Sequence, residues 1–195
     1  LVYRLTGSVF LLATVTFMAQ IPILLVTPLM SVFVDRFDRQ KILILTQSLS
    51  MVQALSMAAL TLSGVIEVWH FLILSLLIGC INALDNPTRQ SFYPSLVAKD
   101  LLSNAIALNS AVINGSRLIG PAVGGVLIGI FGEGLCFLLN GISYLGVIIA
   151  LLLMHLSPFT FPNRRQNVLT DIQEGFSYVS GIFPIRALLL LMSAV

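Results

Sequence analysis

LTGSVFLLATVTFMAQIPILLVTPLMSVFV, residues 5–34, contains no charged side chain. A helix needs about 20 apolar residues to cross the hydrocarbon of a bilayer, so these thirty residues predict a spanning helix over about 8–34. The run is too long for the apolar core of a secretory signal, and a charged turn follows it where a cleavage site would have to lie. Between Lys41 and Glu67 stand another twenty-five uncharged residues, which predict a second span over about 42–64. Trp69 and His70 open a third, over about 69–89, which closes on Asp85, Pro87 and Arg89. A fourth covers about 104–131, interrupted by Arg117, and a fifth about 134–155, with the turn Phe131-Gly132-Glu133-Gly134 between them.

The composition agrees with this reading. Of 195 residues 57% are hydrophobic and 9% charged, and the mean hydropathy is +1.01, whereas a soluble domain carries roughly a quarter charged residues. Burying that apolar fraction in water would leave large exposed patches, so the bilayer is the solvent. The net charge of +2 comes from ten scattered basic residues, which form no patch for nucleic acid. Cys80 and Cys136 stand alone, without metal-ligand spacing, so no metal site and no disulfide framework is expected. There is no HExxH, GxSxG or Walker loop, hence no enzyme, no cofactor and no ATP hydrolysis is expected.

After the fifth span, Ser157-Pro158-Phe159-Thr160-Phe161-Pro162-Asn163-Arg164-Arg165 breaks helix and cannot sit in hydrocarbon. Residues 157–183 therefore read as a linker. Within it Val168, Ile172, Phe176 and Val179 lie opposite Asp171, Gln173, Glu174 and Ser177, the pattern of a helix lying on the membrane. Pro184 starts a further element, and residues 184–195 read as the beginning of the next span. Because the chain starts at Leu1 and stops inside that span, it is expected to be a fragment of a longer protein. Five alternating spans put Arg36, Arg39, Lys41, Arg89, Lys99, Arg164 and Arg165 on one side and Arg4, with Glu67 and Glu133, on the other. The positive-inside bias makes the first side, with the linker, cytoplasmic.

The polar residues inside the spans are the candidate functional set. A charge near the bilayer centre costs about 2.5–3.5 kcal/mol on insertion scales, so Arg117 requires a partner. Asn114 and Asn109 are nearest in sequence and Asp85 is the acid that matches in depth, and the pairing reads equally as a static packing element or as a gate or substrate contact. Asp85 and Arg89 form an i, i+4 pair on the same helix. Pro121 removes the helical donor of the Arg117 carbonyl and is expected to bend the helix there. Gly120, Gly124 and Gly125 around it permit close helix contact, as a rigid seam or a sliding interface. The turn Asp35-Arg36-Phe37-Asp38-Arg39-Gln40-Lys41 concentrates charge in a short loop. Polar stripes, with Gln20, Gln53, Asn109, Asn114 and Asn140 among them, are expected to line a cavity.

Five of these segments together resemble the major facilitator superfamily, in the bacterial exporter branch that includes enterobactin exporters and macrolide-efflux proteins. They are Asp35-Arg36-Phe37-Asp38-Arg39; Asn86-Pro87-Thr88-Arg89-Gln90 with Pro94-Ser95-Leu96-Val97; Asn104-Ala105-Ile106-Ala107-Leu108-Asn109-Ser110; Arg117-Leu118-Ile119-Gly120-Pro121 with Gly124-Gly125; and Glu174-Gly175-Phe176-Ser177-Tyr178. The resemblance implies that the spans are helices two to six of a twelve-helix transporter. It also implies that Asp35, Arg36 and Arg39 belong to a G-x-x-x-D-R-x-G-R-[RK] loop latching the two halves on the cytoplasmic side. Ser31, Asp38 and Gln40 depart from that pattern. Gly120-Pro121 with Gly124-Gly125 resembles the glycine-rich fifth-helix motif of exporters. The family's fourth-helix Arg, linked to proton coupling, would fall near Ser75 and is absent.

The fold expected is an all-α membrane protein: most of the N-terminal six-helix bundle, residues 1–156, of such a transporter, built from inverted repeats. Its expected function is export of a small amphipathic drug, macrolide or siderophore by alternating access with proton coupling, in the bacterial plasma (inner) membrane. The implied partners are that small-molecule substrate, membrane lipid and the C-terminal half of the same transporter, with no nucleic acid. Two rivals stand beside it. One is a transporter-like sensor or assembly subunit that moves nothing, and the other, less favoured for want of a nucleophile, is a membrane-embedded enzyme.

Overall fold

The computed structural model describes residues 1–34 and 37–154. Asp35 and Arg36, the linker at 157–183 and the segment 184–195 lie outside the described residues. Every regular element among the described residues is helical, as hydrocarbon demands of a backbone that must satisfy its own hydrogen bonds.

A short helix α1 (Val2–Thr6) stops at Gly7, whose φ of +63° supplies the left-handed cap. Helix α2 (Val9–Val34) has 26 residues, about 39 Å at the helical rise. Helix α3 (Arg39–Leu62) starts at Asp38, whose carboxylate accepts the Gln40 N–H at 3.0 Å. Asp38 departs from the family's loop pattern, and its position explains why: it caps the helix that follows. Helix α4 (Val68–Leu96) opens on a reciprocal cap, in which Glu67 accepts the His70 N–H while His70 Nδ1 accepts the Glu67 N–H at 3.0 Å. A single 3₁₀ turn (Lys99–Leu101) leads into α5 (Leu102–Leu153).

Two sequence expectations are corrected here. The third helix does not end at Arg89 but runs on to Leu96 through Pro87 and Pro94. The added turns bury Phe92 against Leu43 and Leu151, so tertiary packing outweighs the two missing N–H donors. The turn expected at 131–134 is a one-residue break: Gly132, at φ +77° and ψ 169°, is the non-helical position inside a 52-residue α5. Straight, that helix would run about 78 Å, more than twice a hydrocarbon core of about 30 Å. The Gly132 kink divides it into a first limb, 102–131, and a second limb, 133–153. Pro121 keeps helical dihedrals, and the non-helical position is Gly132, where glycine can take a positive φ.

The helices pack in series: α2 on α4, α4 on α3, and α3 on α5. Three glycines set the closest approaches. A Cβ at Gly79 of α4 would lie 2.4 Å from the Ala19 carbonyl oxygen of α2, so the backbones touch there. On the second limb, Cβ atoms at Gly134 and Gly141 would lie 2.7 and 2.6 Å from the Leu62 and Leu55 side chains of α3. Both pairs step by seven residues in opposite directions along the chain, the mark of an antiparallel knobs-into-holes seam. At the start of the chain, Arg4 pairs with Glu133 at 2.6 Å beside the kink. No residue of the first limb, 102–131, is buried within the described chain.

Gly79→Ala is expected to destabilise the full-length protein by about 1–3 kcal/mol, because backbone and not a flexible side chain must move. Gly146→Ala, with no atom within 4 Å of the added methyl, should leave stability within about 0.5 kcal/mol. Thermal midpoints in detergent, read by size exclusion after heating, compare the two.

Candidate functional site

The buried faces of α3 and α4 meet along small and polar side chains. Ala54, Ala58 and Ala83 are fully buried, with Thr46, Gln47, Ser50, Asp85 and Thr88 among them. Small residues let the two backbones approach, and in hydrocarbon each polar group has to find a partner from the facing helix.

At the centre of this seam sits Asp85, with its side chain 8% exposed. Its Oδ1 accepts from Thr46 Oγ1 at 2.7 Å and from Gln47 Nε2 at 2.8 Å, both on α3. Its Oδ2 accepts from Arg89 Nη2 at 2.9 Å and Nε at 3.2 Å, one turn along α4. Four donors thus converge on one carboxylate, and its charge is matched by a guanidinium that keeps 45% of its own surface exposed. The arrangement binds α3 to α4 through two polar contacts and holds a cation at the edge of the seam, where a small movement could change its partner.

A second polar contact ties the charged turn to the far end of the chain. Gln40 Nε2 donates to the Leu151 carbonyl and, at 3.1 Å, to the Met154 carbonyl. These carbonyls lie at the last turn and C-cap of α5. Gln40 stands where the family pattern carries a basic residue, and its neutral amide does the capping. Arg39, also in this turn, is half-buried.

The remaining sequence candidates are placed separately. Arg117 lies on the exposed first limb of α5, and among the described residues none pairs with it. The structure therefore does not bring it to Asp85, on a different helix. Gly120, Gly124 and Gly125 share that limb with Pro121, and a Cβ at any of the three would meet nothing within 4 Å. The tight glycines are instead Gly79, Gly134 and Gly141. Gln20 is exposed on α2, and Gln53 Nε2 reaches the Leu74 carbonyl of α4 at 3.4 Å. Asn109 Oδ1 accepts from Tyr93 at 2.9 Å, joining α4 to the first limb, while Asn114 and Asn140 are exposed. Ser75, where the family's Arg would fall, is buried on α4. Gln47 and Gln40 are the polar residues that composition alone did not single out. The signal for Gln47 is its spacing, four residues before Met51 and one turn from Leu43, on the face of α3 that meets α4.

A series of apolar helices packed through buried polar contacts is a polytopic membrane protein. The family model described as Transmembrane secretion effector matches residues 1–195, and the chain belongs to that family, within the major facilitator superfamily. A Staphyloferrin A transporter of Staphylococcus aureus (strain NCTC 8325 / PS 47) is 30% identical over 152 residues, 77% of this chain and 38% of that protein. The Uncharacterized MFS-type transporter YfiS of Bacillus subtilis (strain 168) is 26% identical over 163 residues, 82% of this chain and again 38% of its own length. The chain thus spans well under half the length of these curated relatives. No solved structure matches it.

The two partners of the ion pair should respond unequally to mutation. Arg89→Leu leaves a buried carboxylate with two neutral donors, whereas Asp85→Asn leaves a guanidinium that already reaches solvent. The first is expected to cost roughly 1–3 kcal/mol more than the second, measured as the difference in unfolding midpoint of the full-length proteins. Separately, Gln40→Glu sets a carboxylate against two carbonyl oxygens, and hydrogen exchange at residues 150–154 should quicken relative to wild type.

Proposed function

We propose that the full-length protein is a secondary active transporter of a bacterial inner membrane that exports small amphipathic molecules by alternating access, coupled to protons. Membership of the superfamily supplies the transporter class. The observation that carries the rest is the carboxylate of Asp85, bound to α3 by Thr46 and Gln47 and to the half-exposed Arg89. A charged group this deep is expensive to maintain without a use. A cation that can leave it for solvent or for another acid gives two discrete arrangements of the α3–α4 end.

In this reading Asp35, Arg36 and Arg39 latch the cytoplasmic side when the two halves close. Gly120, Pro121, Gly124 and Gly125 form the surface against which the other half moves, consistent with their open positions within this chain. Efflux is the direction favoured by the resemblance of that glycine motif to exporters. Among drug, macrolide and siderophore, the relative named as a Staphyloferrin A transporter favours the siderophore. Orientation with the charged turn and the linker in the cytoplasm follows from the distribution of basic residues.

The test is accumulation in cells that carry the full-length gene, or the same gene with Asp85→Asn, loaded with dyes, macrolides and labelled siderophores. Lower intracellular label with the wild-type protein, lost on collapse of the proton gradient and reduced at least tenfold in initial rate by Asp85→Asn, is the expected outcome. Equal label with and without the protein across the whole panel would leave the sensor or assembly-subunit reading standing.

A further inference from the structure

A cavity of about 150 Å³ lies among α3, α4 and the second limb of α5. It occupies the end of the bundle at which α3 begins and α4 and α5 finish. Leu43, Phe92 and Leu151 supply apolar walls, and Gln47, Arg89 and Tyr93 supply polar groups. An apolar hollow with a few convergent polar atoms is the general form of a small-ligand site, and a cavity of this volume lined by hydrocarbon is large enough to hold benzene.

The hydrogen bonds already made determine what the polar groups can still offer. Arg89 spends Nε and Nη2 on Asp85, and among the described residues none takes Nη1. Gln47 spends one N–H of Nε2 on Asp85, and its Oε1 is left over. Tyr93 donates its hydroxyl proton to Asn109. The polar groups on the hollow therefore keep Arg89 Nη1 as their strongest unused donor and Gln47 Oε1 as an amide acceptor, beside the second N–H of Gln47 Nε2 and the Tyr93 hydroxyl oxygen. A planar group with a carbonyl acceptor and an N–H donor matches the first two.

Charge excludes two alternatives. The guanidinium is neutralised by Asp85 at 2.9 Å, so a bound carboxylate would bring a second, uncompensated anion into a partly dry site. A phospholipid needs its phosphate nearer the membrane surface than its chains. Here the order is reversed, because Arg89 lies seven residues inside Leu96, the last residue of α4, and Leu96 also lines the hollow.

We propose that this cavity is a binding site for a small neutral aryl carboxamide, with the ring between Leu43, Phe92 and Leu151, the carbonyl on Arg89 Nη1 and the amide N–H on Gln47 Oε1. The inference does not depend on the direction of transport or on proton coupling. A bound ring braces the ends of three helices and holds Arg89 beside Asp85. It is therefore a modulator site, which slows the conformational cycle without competing for substrate.

The experiment uses the full-length protein in detergent, with benzamide, benzoate and toluene as probes of nearly equal size. Benzamide should raise the thermal midpoint in a saturable manner and bind at least about tenfold tighter than toluene, since it adds a hydrogen bond from a charged donor and a second one to Gln47, while benzoate should give no shift. Val147→Phe places a ring in the hollow, since Val147 also lines it, and should abolish the benzamide shift. In proteoliposomes benzamide should lower the maximal transport rate without raising the KM for substrate. No saturable shift with benzamide, an equal shift in Val147→Phe, or tighter binding of benzoate would overturn the assignment. Should Val147→Phe fail to insert, Val147→Leu, which partly fills the same space, is expected to weaken benzamide at least threefold, and unchanged affinity there would refute it. The thermal readout needs no transport, so its failure is distinguishable from failure of the exporter reading.

Discussion

A carboxylate inside an apolar bundle has to be satisfied by protein, and the way Asp85 is satisfied organises this molecule. Its four hydrogen bonds come from α3 and from its own helix. Thr46 and Gln47 can both reach one oxygen in only one rotation and register of α3 against α4. Once that register is set, the start of α3 lies beside Phe92 and Leu151, and Gln40 reaches the Leu151 and Met154 carbonyls. The charged turn, the buried pair and the exit of the last helix are thus joined through one helix, α3.

The apolar contacts follow a different logic. Between lipid-facing helices there is no gain from removing hydrocarbon from water, so association rests on close packing and on hydrogen bonds. Gly79 against Ala19 and the alternating Gly134–Leu62 and Gly141–Leu55 pairs supply the first. Asp85 with its donors supplies the second. Within the described residues the first limb of α5 has no such glycine contact and one hydrogen bond to α4, from Tyr93 to Asn109. Its glycines lie open within the described residues.

Several elements were legible without coordinates because a single physical rule generates them. Long uncharged runs mark spans, since nothing else tolerates hydrocarbon. Asp85 and Arg89 four residues apart on a helix share a face, and the structure brings them together. The glycines of the fifth-helix motif were conspicuous because they cluster, yet the glycines in tight contact are isolated in sequence. Gly79, Gly134 and Gly141 acquire meaning only from what faces them. Likewise Pro121 stands inside α5 at helical dihedrals, while Gly132 takes a backbone conformation closed to other residues. Arg117 was expected beside an acid because they share a depth, and depth says nothing about azimuth around the bundle.

Hydropathy along the chain determined the helical membrane class and the approximate spans, because transfer of each residue into lipid is a local property. The residues carrying the family resemblance are also local strings. Which donors close on Asp85, which glycines touch, where α5 breaks and what the hollow beside Arg89 can bind were decided by tertiary structure. Each depends on the rotation and register of one helix against another, and those are fixed by contacts between residues about 40 to 110 positions apart.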